Sequence, residues 1–177
     1  MPDRHRSLLI RLDAQKQALI AEVDALTADQ LLFRPVPGSW SALDVVEHLV
    51  KVEEAIVSRI RKRDRRTWRE ALRARGALAL MSVYFALGRR FKVPTQAILP
   101  LGGVTLSDLS SRWDASQAAL RGRLEGFTAD DLARPLMRHP LLGLLTAAEA
   151  LAFLRRHIAH HRRQIVRLRR SPGYPRS

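Results

Sequence analysis

Residues 153–168 read FLRRHIAHHRRQIVRL, a stretch without proline or glycine in which apolar side chains recur every three or four positions. At about 100° per residue from His157, the side chains of His161, Leu154, Ile165, Leu168 and Ile158 fall within roughly 100° of arc, with Phe153 just outside it. Every arginine lies outside that arc. The stretch is therefore an amphipathic helix whose apolar face carries two histidines. His157 and His161, spaced i, i+4, stack one above the other, and His160 falls at the rim of that face.

A second helix repeats the arrangement. After Trp40, Ser41 and Asp44 have the spacing of a capping box, and Val45, Leu49, Val52 and Ile56 form an apolar stripe bordered by His48, in a helix expected to run to about Arg63. Two helices thus offer three inward imidazoles. Each keeps a polar nitrogen that needs a partner, and burying three without one costs a few kcal/mol. A divalent metal on His48, His157 and His161 removes that cost and leaves a position open for water or substrate. An isolated H-x-x-x-H pair is more often a bonded core feature, so the third histidine carries the metal reading. His5 and His139 read as loop or surface residues without a role. Asp44 is preferred as a cap over a base or ligand-orienting group. Trp40 either lines the pocket entrance or anchors the helix start.

The rest of the chain is also helical, with no convincing strand alternation. One helix is expected from Asp3 to Leu26, another from a Thr67/Glu70 cap to about Arg90, and another from Asp108 to Glu125, stopped by Gly126. The last helix begins near Thr146 and ends before Pro172, and Phe91 to Ser107 reads as an extended connection. Leu26-Thr-Ala-Asp-Gln-Leu before Arg34-Pro35 is echoed by Phe127-Thr-Ala-Asp-Asp-Leu before Arg134-Pro135. Amphipathic helices bury themselves best against one another, so an all-α four-helix bundle, one domain over residues 1–177 with a disordered tail at 171–177, is the expected architecture.

Composition narrows the chemistry. With no cysteine, a disulfide framework, a zinc–thiolate site, an iron–sulfur cluster and a cysteine nucleophile are excluded. No serine-nucleophile motif or glycine-rich phosphate loop occurs. The start, MPDRHRSLLIRLDAQ, is broken by Arg11 and Asp13 before a signal-peptide core could form, and the longest apolar run, Ala77 to Leu87, is too short to span a bilayer. A cytoplasmic protein with no membrane partner is expected. The net charge of +14 is concentrated in two stretches, Arg59 to Arg75 and Arg155 to Arg170. Such stretches either solvate helix faces or attract an anionic partner.

The elements Arg34-Pro35-x-Pro37-Gly38-x-Trp40-Ser41 with Val46-Glu47-His48-Leu49, and Gly143-Leu-Leu-Thr146 with His157-Ile-Ala-His160-His161-x-x-Gln164-Ile165, resemble the DinB/YfiT-like metalloenzyme superfamily. The resemblance implies an up-down-down-up bundle, with an extra helix or extended connection before the third bundle helix, and a homodimer. It also implies a nickel or zinc ion on His48, His157 and His161, and either metal-dependent hydrolysis or S-transfer with a low-molecular-weight thiol. The substrate is then a small molecule, read as anionic from the basic stretches, and no catalytic residue is assigned. The alternative is a non-catalytic basic bundle that binds nucleic acid or another anionic partner. It is the less favoured reading, since no nucleic-acid recognition signature accompanies the charge.

Overall fold

The computed structural model describes residues 1–87 and 96–176. Four long helices form the bundle: α1 (Asp3–Asp24), α3 (Ala42–Arg59), α5 (Leu106–Glu125) and α7 (Ala147–Leu168). α1 packs on α7 and α3 on α5, and α3 crosses to α7 through the middle. The topology is up-down-down-up. Two five-residue helices, α2 (Ala28–Leu32) and α6 (Ala129–Ala133), turn the chain after α1 and α5. α4 (Trp68–Ala86) and a 3₁₀ turn at Gln96–Ile98 occupy the crossover from α3 to α5, and α4 lies outside the bundle against α7. No helix among the described residues is long and apolar enough to cross a membrane.

Local chemistry explains the helix starts. Thr27/Gln30, Ser41/Asp44, Thr67/Glu70, Thr105/Asp108, Thr128/Asp131 and Thr146/Glu149 each form a reciprocal capping box, satisfying amide groups that a helix start leaves orphaned. The echoed Thr-Ala-Asp segments are thus the N-termini of α2 and α6. α5 begins at Leu106, two residues before the position expected, because Thr105 is its cap.

The described residues depart from the expected all-helical pattern at one place. Pro135–His139 (β1) and Gly143–Thr146 (β2) form an antiparallel hairpin, with Gly143 at φ +76° after its turn. Positive φ suits glycine, which has no Cβ to clash. The amide of Arg61 bonds the carbonyl of Leu136 at 2.9 Å, tying the segment after α3 to this hairpin. Of the expected connection from Phe91 to Ser107, residues 91–95 lie outside the described residues, as does the expected end of the α4 helix at Arg90. After α7, the ring of Tyr174 meets Phe33 edge-on at 5.3 Å and Gln30 donates to the Pro175 carbonyl at 3.1 Å.

The core holds Leu12, Leu19, Leu109, Trp113, Leu151 and Ile165, all essentially without solvent exposure. Glu53 lies among them and accepts a hydrogen bond from the Trp113 indole at 2.9 Å. Lys16, also buried, pairs with Asp13 and Asp114. The buried Lys16 charge is retained with partners, as its desolvation cost requires.

Candidate metal centre

α3 and α7 bring their histidine faces together across the bundle. Capping at Ser41 fixes the start of α3 and sets His48 two turns into it. Capping at Thr146 does the same for α7, leaving His157 and His161 one turn apart. The ring nitrogens converge: the Nε2 of His157 lies 3.3 Å from that of His48 and 3.0 Å from that of His161. One ligand atom from each residue lies within 4.8 Å of the others, and all three residues are buried.

The back of each outer ring is committed elsewhere. His48 donates its Nδ1–H to the Ile98 carbonyl at 2.8 Å, and His161 donates its Nδ1–H to the Oε1 of Gln164 at 2.9 Å. These bonds select the tautomer in which Nε2 carries only a lone pair. Burial lowers the pKa of His48 to about 4 despite the opposing Ile98 carbonyl, and holds His157 and His161 well below the usual imidazole range. At neutral pH two lone pairs therefore meet the third imidazole at van der Waals contact or closer. A divalent cation matches that donor set: neutral nitrogens and, behind His48 and His161, fixed tautomers and second hydrogen bonds.

The surrounding loop is built to hold His48. Glu47 is buried, with Oε1 and Oε2 accepting from the amides of Leu101 (3.0 Å) and Gly102 (3.1 Å). Lys51 pairs with Glu47 at 2.7 Å and donates to the Leu99 carbonyl at 2.8 Å. Burial works against the Glu47 charge, yet the two amides and Lys51 hold its carboxyl below the ordinary value. Three residues on two consecutive turns of α3 thus strap residues 98–102 down and aim the Ile98 carbonyl at His48.

The three imidazoles open onto a cavity of about 480 Å³. Trp40 is part of its wall, 4.8 Å from His48 and stacked at 6.2 Å on His161. Phe153 stacks on His157 and Phe85 on His160. The structure corrects three sequence expectations here, on His160, His139 and His5, and agrees with the preferred one for Asp44. His160 is buried rather than at the rim, because Phe85 of α4 covers it and the Phe85 carbonyl accepts its Nδ1–H at 3.2 Å. His139, expected at the surface without a role, lies in the cavity wall, its Nδ1 accepting from the amides of Leu141 and Leu142. His5 is a buried residue of α1, not a loop residue. Asp44 is spent as the α3 cap, bonding the Ser41 amide at 2.7 Å and pairing with Arg34 at 2.9 Å, and does not line the cavity.

Much of the basic charge is structural. In the first stretch, Arg66 forms a two-pronged pair with Glu149 at 2.8 Å, Lys62 pairs with Asp131 and Arg65 with Asp130. In the second, Arg162 and Arg169 pair with Glu22.

Comparison with known proteins adds the family. The profile described as the DinB superfamily matches residues 11–165. Among solved structures, the chain is similar to YfiT from Bacillus subtilis, described as a probable metal-dependent hydrolase with an unusual four-helix bundle topology. That likeness has a TM-score of 0.57 at 16% identity and covers 99% of this chain and 91% of YfiT. At that identity it speaks for the fold alone. No curated protein matches.

Proposed function

The chain belongs to the DinB superfamily, and from that premise we propose that it is a metal-dependent hydrolase of a small molecule, with nickel or zinc held by His48, His157 and His161. The observation that carries this reading is the convergence of three buried, neutral imidazoles on one open cavity. When bound, a divalent ion there supplies Lewis acidity to an oxygen or sulfur donor. The chain's own residues do the rest. Ile98 and Gln164 orient two ligands. Trp40, Phe85 and Phe153 exclude water from the imidazoles. His160, whose Nδ1–H is committed to Phe85, offers its Nε2 lone pair as the proton acceptor.

A second reading, S-transfer from a low-molecular-weight thiol, is favoured by one observation. Among the described residues no carboxylate lines the cavity, so the usual base of metal-assisted hydrolysis is missing, whereas a thiol needs less help to ionise. A nucleic-acid role is supported less, because many of the arginines and lysines of the basic stretches are engaged within the fold.

The partner in this reading is a second copy of the chain. Trp68, Leu72, Leu80, Val83 and Leu87 are 56–71% exposed on the side of α4 facing away from the bundle, along a face about 28 Å long. A stripe of that size on a surface marks an interaction site. Antiparallel pairing of two such helices is self-complementary about a twofold axis and keeps the arginine-bearing first turns of α4 apart.

Metal analysis of the untagged protein tests the central claim. About one equivalent of nickel or zinc is expected in the wild type and none in His157→Ala, whose helical circular dichroism should be retained. A wild type that refuses both metals sinks the reading. Ester-hydrolysis and thiol-acceptor panels on the loaded protein then separate hydrolysis from S-transfer.

A further inference from the structure

Taking the metal reading for the reacting end of the cavity, we propose that the cavity's ligand is a small amphipathic organic anion whose negative group is held by Arg167. The first support is charge. Three imidazole ligands bring no charge of their own and leave a divalent ion's charge uncompensated, and no described cavity residue is acidic. A three-histidine centre takes its balancing negative charge from what occupies the open position and the cavity around it.

The second support is the position of Arg167. It is the one fully charged side chain among the described residues of the cavity wall. Other arginines of α7 are engaged: Arg162 and Arg169 with Glu22, Arg155 with Gln15, and Arg163 with the Phe85 carbonyl. Among the described residues no carboxylate pairs with Arg167. It follows His161 by six positions, about 9 Å along the helix axis. Helical side chains lean toward the N-terminus, so its guanidinium is carried back toward the histidines. His161, Gln164 and Arg167 all line the cavity, with Arg167 also turned about 120° around the axis from His161, so the cavity spans a molecule with a reacting group at one end and an anion a few bonds away.

The third support is the wall between them. Val52, Met81, Phe85, Leu141, Phe153 and Leu168 are apolar, which suits a hydrocarbon or aromatic body rather than a sugar. A second donor stands on the same wall. With its Nδ1 accepting from two backbone amides, His139 carries its proton on Nε2, free for an acceptor on the ligand.

Calorimetric titration with 4-phenylbutane-1-sulfonate and its neutral counterpart 4-phenylbutan-1-ol, at physiological salt, tests this. Sulfonate is a poor metal ligand, so its preference reports the anion site and not the metal. The wild type should bind the sulfonate about tenfold more tightly than Arg167→Gln does, a factor typical of one charge-assisted hydrogen bond. The alcohol should bind both equally. Arg170→Gln, just beyond the end of α7 and outside the cavity, should match the wild type. Equal weakening by Arg167→Gln and Arg170→Gln would mean nonspecific surface charge, and an unchanged Arg167→Gln would mean no anion site; either overturns the proposal. Repeating the titrations on chelator-stripped protein separates the two readings. Arg167 dependence in a protein that never takes up metal leaves this inference standing and removes the metal; tight metal uptake without Arg167 dependence does the reverse.

Discussion

The Nε2 of His157 lies between two others, and counting protons around it shows why the site is unusual. His48 and His161 have each spent a proton on an acceptor behind the ring, so only one proton on His157, or a cation, can relieve the crowding of lone pairs. A core histidine ordinarily finds a donor; these find each other. A second buried group has a different consequence. Burial raises the pKa of Glu53 from 4.5 to about 7, although the Trp113 indole and the charge of Lys16 partly offset it. The native chain therefore keeps a proton between pH 4.5 and 7 that the unfolded chain has lost, and stability falls as pH rises through that window. The loss amounts to roughly 3 kcal/mol by linkage. Glu53→Gln retains an oxygen for the Trp113 N–H and has no charge to bury. Denaturant melts should show it gaining on the wild type between pH 4.5 and 8 by up to about 3 kcal/mol; a pH-independent gap would remove titration as the cause.

Among the elements, α3 does more than supply a ligand. Its Glu47 and Lys51 hold residues 98–102 so that the Ile98 carbonyl meets His48. Glu47→Gln keeps the bulk but loses the Lys51 ion pair and one of two amide acceptors. Zinc affinity should fall about tenfold, measured by competition with a chromogenic chelator, while the thermal midpoint drops only slightly. Equal affinity in the variant would reduce the strap to a packing feature. α4 has the opposite character: one face, with Ala74, Leu78, Met81 and Phe85, is buried, and the other exposes its large apolar side chains. A helix apolar on both sides leaves its second side available to something that would cover it.

For the whole molecule that something is proposed to be another copy. Light scattering on the eluting wild type should give twice the 20.0 kDa chain mass, and Leu80→Arg, placing a charge in the middle of the stripe, should elute as a monomer with unchanged helicity. A monomeric wild type at tens of micromolar would rule the arrangement out. The net charge of +14 does not forbid association, because screening at physiological salt confines it to about 8 Å.

What was legible in the sequence was legible for local reasons. The Ser41/Asp44 and Thr67/Glu70 boxes are contacts three residues apart, and the apolar faces of α3 and α7 follow from helical periodicity alone. The inward direction of His48, His157 and His161 came with those faces. Other features depend on pieces distant in the chain. The β1–β2 hairpin escaped notice because its strands are four and five residues long and their pairing, not their composition, makes them strands. The burial of His160 required Phe85 of α4, and the place of His139 in the cavity wall required the hairpin to fold against α7. The exposed stripe of α4 could not be told from a core face until its other side was seen to be the buried one. Sequence determines which side of a helix is apolar, since that is a matter of angle; only tertiary structure decides what each side meets, since that depends on segments separated by more than a hundred residues of chain.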